Sequence, residues 1–372
     1  MRFAIAYARR SGTGVPPVIH GQDGHPLRAA RNGTRDAHAT CQALLTGDNI
    51  SICTEQRSTE KRKIVVIGEL NVDLIATGLP HLPVLGSEIL ASDFQMVLGG
   101  ASTVFACGIA RLGNQVTFIG QVGEDDFGRF CLAEINRFGI ATDHIIKNPD
   151  CRTGVTISLS LQRDRAFVTY TGAISTFAYT QVPLSILDGH HHLHMTSYFL
   201  QDALREYFPQ IMEQARRRNL TTSFDPNSDP TQKWDQSIWQ VFKQTDLLFI
   251  NEEEALQLTG RGSADEALLI LGQSVACVVI KLGARGAIGL KGSESLYAPG
   301  FKLEAVDTTG AGDSFAAGFI HGYLQGRALR ECLEWGNACG AMSTLKAGGT
   351  ANQPDLNQLS GFLKAHAAFA NK

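Results

Sequence analysis

The chain has 372 residues, 44% apolar and 19% charged, with a net charge of −3. This is ordinary globular composition, long enough to bury a sizeable core. It has no long basic run, which argues against a nucleic-acid partner, and no apolar stretch near the roughly 18 residues that span a bilayer, which argues against a membrane one.

Residues 1–61 hold Gly, Pro, His, Arg and Thr in short clusters such as Gly12-Thr13-Gly14-Val15-Pro16-Pro17 and show little periodicity. They read as a disordered or non-native N-terminal extension. The first ten residues carry only about six apolar positions before two arginines, short of the roughly 7–15 of a signal-peptide core. None of the eight cysteines forms a C-x-x-C pair, and Cys107, Cys131, Cys277, Cys332 and Cys339 lie in apolar segments. Buried free thiols in a cytoplasmic protein are the simplest account.

From residue 62 the pattern changes. Apolar runs of strand length occur at 63–68, 116–120, 221–225, 247–250 and 275–280, and helical spacing appears at 102–112, 127–138, 202–218, 253–259, 264–272, 314–325 and 328–345. Buried strands alternating with helices predict a mostly parallel sheet covered on both faces, with ligands at the carboxyl ends of its strands. Segments 73–98 and 151–172 alternate in shorter runs, as in Thr153-Gly154-Val155-Thr156-Ile157-Ser158-Leu159, which suits strands with one exposed face. His190, His191, His192 and His194 invite a metal reading, but no Cys or acidic residue nearby has ligand spacing; satisfied histidines at a strand entrance are the plainer account. Trp234 and Trp239 read as packing residues.

The most informative segment is Asp307-Thr308-Thr309-Gly310-Ala311-Gly312-Asp313, which runs into a helix. Glycines at a helix start leave backbone N–H groups open to close approach, and the helix dipole favours an anion there. Gly310, Ala311 and Gly312 therefore form a candidate phosphate site. A carboxylate at Asp313 would repel that phosphate unless the chemistry needs a base to take a proton from an attacking hydroxyl. The plainer alternative makes Asp313 an N-cap and the glycines a turn. Asn251 and Glu254 open a helix after a strand and have capping-box spacing. No G-x-x-x-x-G-K-[ST] occurs anywhere and no G-x-G-x-x-G follows the first strand, which argues against a P-loop enzyme and a dinucleotide dehydrogenase.

The segment resembles the C-terminal signature of the PfkB/ribokinase-like carbohydrate kinases, D-T-x-G-A-G-D. Six further pieces follow the order of that family: Gly68-Glu69-Leu70-Asn71-Val72-Asp73, the double glycine Gly99-Gly100 with Arg111-Leu112-Gly113, Gly120-Gln121-Val122-Gly123, Phe224-Asp225-Pro226-Asn227, Asn251-Glu252-Glu253-Glu254, and Leu282-Gly283-Ala284-Arg285-Gly286. The resemblance spans roughly residues 63–349. It implies an α/β ribokinase-like fold, a three-layer α/β/α arrangement with a mostly parallel central sheet and a small β-sheet lid from segments 73–98 and 151–172, in a kinase domain at 62–368. It implies ATP and Mg²⁺ as cofactors and a small sugar as acceptor, with homodimerisation through the lid as in many relatives.

By the same resemblance, Asn71, Asp73, Gly99 and Gly100 meet the sugar, and Asn251 and Glu254 order water around Mg²⁺. Lys281, Gly283, Gly286 and Asn337 stand on the nucleotide side, and Asp307 and Thr309 match a monovalent-cation (K⁺) site of some relatives. The residues alone leave alternatives: Asn71 as a turn residue, Lys281 in solvent, Asn337 as an exposed helix residue. This chain departs from the family at Val104, where many relatives carry Asn, and at Lys281, where Thr is usual. The acceptor is thus less defined than the reaction. A nucleoside kinase of the same fold and a non-catalytic sugar sensor are the rival readings.

Overall fold

The computed structural model describes residues 61–161 and 165–370, all within the unit Arg57–Lys372. The expectation for residues 1–61 falls almost wholly outside them. The strands are β1 (Lys63–Ile67), β2 (Asn71–Thr77), β3 (Asp93–Gly99), β4 (Gln115–Gly123), β5 (Ile145–Asn148), β6 (Gly154–Ser160), β7 (Arg165–Tyr170), β8 (His192–Thr196), β9 (Thr221–Asp225), β10 (Leu247–Asn251), β11 (Cys277–Lys281), β12 (Gly286–Lys291) and β13 (Glu294–Pro299). The helices are α1 (Ala101–Arg111), α2 (Asp126–Arg137), α3 (Ala173–Thr176), α4 (Phe208–Arg217), α5 (Ile238–Phe242), α6 (Glu252–Thr259), α7 (Ala264–Leu271), α8 (Ala311–Leu324), α9 (Leu329–Ser343) and α10 (Leu356–Ala370).

Nine strands form one sheet in the order β13-β12-β11-β10-β9-β8-β1-β4-β5. Pairing is parallel from β5 through β11, and β12 and β13 add an antiparallel hairpin at one edge. The central strands are apolar on both sides because each face meets helices. Val65, Ile67, Leu193, Phe224 and Ile250 pack into one core, and Ile64, Val66, Phe118, Phe249 and Val279 into the other. The parallel direction brings the ends of β1, β8, β9, β10 and β11 to one edge. Glu69, Ser197, Asp225, Asn251 and Lys281 stand at or just past those ends.

A second sheet has the order β3-β2-β6-β7. Its register places Asp73, Thr156, Thr169, Phe167 and Arg165 on one face and Leu74, Met96, Ile157, Val168 and Phe94 on the other. These are the segments expected to form the lid.

The histidines follow the plainer account only in part: His191 and His192 are bonded, whereas His190 Nδ1 and His194 Nε2 are buried with no hydrogen-bond partner among the described residues. His192 and His194 are buried in β8 and bond Thr221 and Ser223 of β9 at 2.6–2.7 Å. Burial holds the His192 imidazole neutral, its pKa down to about 3. Among the described residues no group of three or more His, Cys, Asp or Glu side chains could hold a metal. Cys107, Cys131, Cys277, Cys332 and Cys339 are buried free thiols, and Trp234 packs in a core. No helix among the described residues is long and apolar enough to cross a membrane.

Candidate active site

The acceptor side begins where β2 leaves the core. Asn71 and Asp73 are both buried, and Asn71 Nδ2 donates to Asp73 Oδ1 at 2.8 Å and to Thr156 Oγ1 at 3.3 Å. The double glycine makes room for them. A Cβ on Gly99 would lie 2.1 Å from Asp73 Oδ1, and one on Gly100, whose φ is +91°, 2.7 Å from Asn71 Oδ1. The two glycines thus fit side chains of β2 against the start of α1. Burial raises the Asp73 carboxyl to about 7; the Asn71 hydrogen bond works against that rise, and the charges of Asp307 and Glu69 add to it.

Glu69 and Asp225, quoted in the motifs without a site role, hold this edge together. Glu69 accepts from Ser102 N at 3.1 Å, Ser102 Oγ at 2.6 Å and Ser197 Oγ at 2.6 Å. Ser197 and Asn227 follow β8 and β9 with left-handed φ of 53° and 55°, and Asn227 Oδ1 accepts from Ser197 N at 2.9 Å. Left-handed non-glycine residues at strand ends mark a backbone held by its surroundings.

The phosphate side is built on the start of α8. Gly310 has φ +70°, and a Cβ there would meet Gly349 Cα and Val104 Cγ1, each at 2.8 Å. Val104 is therefore buried packing beneath this turn, which explains an apolar residue there and joins the starts of α1 and α8. The N–H groups of Gly312 and Asp313 find no backbone acceptor among the described residues. They line a cleft of about 480 Å³ together with Gly310, Ala311, Asn251, Glu254, Lys281, Gly283, Gly286 and Asn337. Asn71, Asp73, Gly99, Gly100, Asp307 and Thr309 lie outside that lining.

Lys281 points inward. Its Nζ bonds Asp225 Oδ2 at 2.5 Å and would lie 3.0 Å from a Cβ on Gly312. Burial would lower its pKa, but Asp225, Glu254 and Asp313 together raise it. Burial and then the Asp225 charge push Asp313 well above the usual carboxylate range, with Lys281 opposing. Glu254 is raised for the same two reasons, also against Lys281. The capping box at α6 is real: Asn251 N donates to Glu254 Oε2 at 3.0 Å, and Glu254 N to Asn251 Oδ1 at 2.9 Å. Both residues nevertheless face the cleft, so capping and lining coexist.

Asn337 is buried rather than exposed. Its Nδ2 donates to Ala298 O at 3.1 Å and Pro299 O at 3.2 Å, tying α9 to the end of β13. Gly283 and Gly286 adopt φ of +61° and +103°, and a Cβ on Gly286 would meet Ala298 O at 2.2 Å. Asp307 Oδ1 accepts from Thr309 N and Oγ1 at 2.9 and 2.8 Å, and Asp307 Oδ2 from Gly348 N at 2.9 Å. Arg165 of β7 also reaches these residues, its Nη1 donating to Asp307 Oδ1 at 3.2 Å and Thr309 Oγ1 at 3.0 Å.

A family model described as pfkB family carbohydrate kinase matches residues 61–356. The 2-dehydro-3-deoxygluconokinase of Bacillus subtilis (strain 168) is 31% identical over 295 residues, covering 76% of this chain and 91% of that protein. The ribokinase of the same bacterium is 27% identical over 304 residues, covering 81% and 99%. An E. coli protein solved in complex with ATP and Mg²⁺ matches with a TM-score of 0.72 at 24% identity, covering 82% of this chain and 100% of that one. That last likeness is one of fold.

Proposed function

The chain belongs to the pfkB family of carbohydrate kinases, and from that premise we propose that it moves the γ-phosphate of ATP to a hydroxyl of a small sugar or sugar-like molecule, with Asp313 as the base. One observation carries this reading. The Asp313 carboxyl and the unbonded N–H groups at the start of α8 share a cleft with Lys281, Asn251 and Glu254.

Asn71 and Asp73 accept and orient the acceptor hydroxyls. Gly310, Ala311 and Gly312 surround the transferring phosphoryl, the open N–H groups of Gly312 and Asp313 donate to it, and the Asp313 carboxylate takes the hydroxyl proton. Its raised pKa suits a base, since a more basic carboxylate holds the proton better. Lys281 balances phosphate charge from the far side. Lys281 is already paired with Asp225 and Arg165 with Asp307, which leaves Glu254 and Asp313 in the cleft without a cation of their own and fits Mg²⁺. Asn251 and Glu254, which both face the cleft, would hold such an ion through water. When bound, that ion would neutralise phosphate charge.

The test is ATP consumption against a panel of pentoses, hexoses, 2-dehydro-3-deoxygluconate and nucleosides. Turnover with sugars is the expected result. Turnover with nucleosides alone would shift the acceptor class, and binding of a sugar without any turnover would leave a sensor.

The pKa of Asp73 gives a pH signature. Its carboxylate must be ionised to accept two hydroxyls, and below about 7 it is protonated in the free protein. The value of kcat/KM for the acceptor should therefore fall as pH drops through about 7, approaching tenfold per unit. Asp313, whose pKa burial also raises, must be ionised as well, so its titration adds to the same fall. A profile flat from about pH 8 to about pH 5.5 would overturn the role of Asp73.

The second lid face exposes Phe94, Met96, Ile157, Val168 and Tyr170. An exposed apolar face of this kind suits a partner surface, and a second copy of the chain is the proposed one. Light scattering should report a dimer that Phe94→Asp with Val168→Glu converts to monomer. A wild-type monomer at micromolar concentration would rule this out.

A further inference from the structure

We propose that Arg165 is a positioning residue that latches the lid to the phosphate-binding turn, so that closing the lid and setting the main-chain donors at the start of α8 are one event. The inference rests on the kinase reading of that turn.

Arg165 opens β7 on the same lid face as Asp73, and its guanidinium lies over the Phe167 ring at 5.2 Å. It lines the cleft of α8 although it belongs to the other sheet. Its Nη1 bridges Asp307 and Thr309, residues 142 and 144 positions away. Asp307 is the hub of the turn: it also takes Thr309 N, Thr309 Oγ1 and Gly348 N. Gly349 in turn lies against Gly310. A continuous set of contacts therefore runs from β7 through Arg165 and Asp307 to the start of α8.

Partial burial strengthens the link, since Arg165 is 29% and Asp307 11% exposed at the side chain. A fully exposed pair would be worth little. The guanidinium also fills the oxygens that a monovalent cation would need from Asp307 and Thr309. These side chains therefore do not fit K⁺ while the lid is in this position. A fixed cation on the lid replaces a diffusible one, which makes the charge at the turn depend on lid closure.

Hydrogen exchange and kinetics on the full chain test this with Arg165→Met and Arg165→Lys. Exchange in the ligand-free protein reads the latch without reference to catalysis. Arg165→Met should speed exchange at the bonded amides of Val306, Asp307, Thr309 and Ala311 within 306–312 by about tenfold, since the turn that holds them loses its tie to the lid. It should lower kcat about tenfold or more, leave acceptor KM within about threefold, and respond to added guanidinium, because misplaced donors cost rate more than binding. Arg165→Lys should recover part of both. K⁺ should change wild-type turnover by less than about twofold, since the turn already carries a bound cation.

Unchanged exchange at 306–312 in Arg165→Met overturns the latch whatever the activity. So does wild-type activation by K⁺ beyond about fivefold, or a loss confined to acceptor KM. Wild-type protein inactive on every acceptor would instead overturn the kinase reading, with exchange still deciding the latch.

Discussion

Asp313→Asn is expected to lower kcat by roughly 10²–10⁴-fold while leaving the fold at least as stable as the wild type. The loss follows from removing the proton acceptor, and corresponds to about 3–5 kcal/mol of barrier. The stability result follows from the electrostatics. Burial and Asp225 raise the Asp313 pKa in the folded chain. A carboxyl raised on folding destabilises the fold wherever the unfolded chain would be ionised, that is, above its ordinary value. Asparagine carries no charge to repel Asp225, so at neutral pH the variant should melt no lower than wild type. Such a trade of stability for a strained site is common at catalytic positions. Measured together, kcat and the melting temperature separate two roles. A helix cap alone would keep both stability and turnover, because Asn caps nearly as well as Asp, and the N-cap of α8 is in fact Gly310, with no side-chain cap bond. A variant with more than about a tenth of wild-type kcat would end the base assignment.

Much of the fold was legible because burial on both faces leaves apolar runs in a parallel sheet. β1, β4, β9, β10 and β11 were found that way, and their carboxyl ends located the site. The hairpin β12–β13 was not, since Gly286 and Gly289 interrupt the apolar alternation of β12 and most of β13 is exposed. β8 was read only as a strand entrance because histidines interrupt its apolar run. α4 begins at Phe208 rather than near 202; a 3₁₀ turn at Arg205–Tyr207 leads into it and Pro209 opens its first turn. α10 was missed although its signal was present: Asp355 and Gln358 form a reciprocal cap at 2.8 and 2.9 Å, and Leu356, Leu359, Phe362 and Leu363 keep helical spacing.

The site divides along a similar line. Asn71, Asp73, Gly99 and Gly100 were singled out by the family resemblance, Asn251 and Glu254 by that and by capping-box spacing, and the 307–313 turn by its glycines at a helix start. The parts that act across the chain were not. Glu69 is needed at the end of β1 only because Ser102 and Ser197 arrive there from α1 and β8. Arg165 is one arginine among many until β7 is placed against the start of α8. A sequence shows which backbone must turn; it does not show which distant charge meets that turn.

Lys281 is the sharpest case, since its residue type left phosphate and solvent open while the geometry points it inward. Lys281→Met should lower kcat at least about a hundredfold and also destabilise the fold by about 3–5 kcal/mol, the cost of breaking a buried ion pair from one side. Asp225 is 1% exposed and loses its charge partner. The double variant Lys281→Met with Asp225→Asn removes both charges, so it should recover most of the stability and little of the activity. That split separates a pair kept for structure from a cation kept for phosphate. The pH profile adds a third reading. Lys281 lowers the pKa of both Asp313 and Glu254. Without it both carboxyls rise further, so the base ionises only at higher pH and the ascending limb of activity must move upward. If the double variant recovers turnover along with stability, Lys281 holds Asp225 and nothing more, and the positive charge at the transferring phosphate comes from elsewhere.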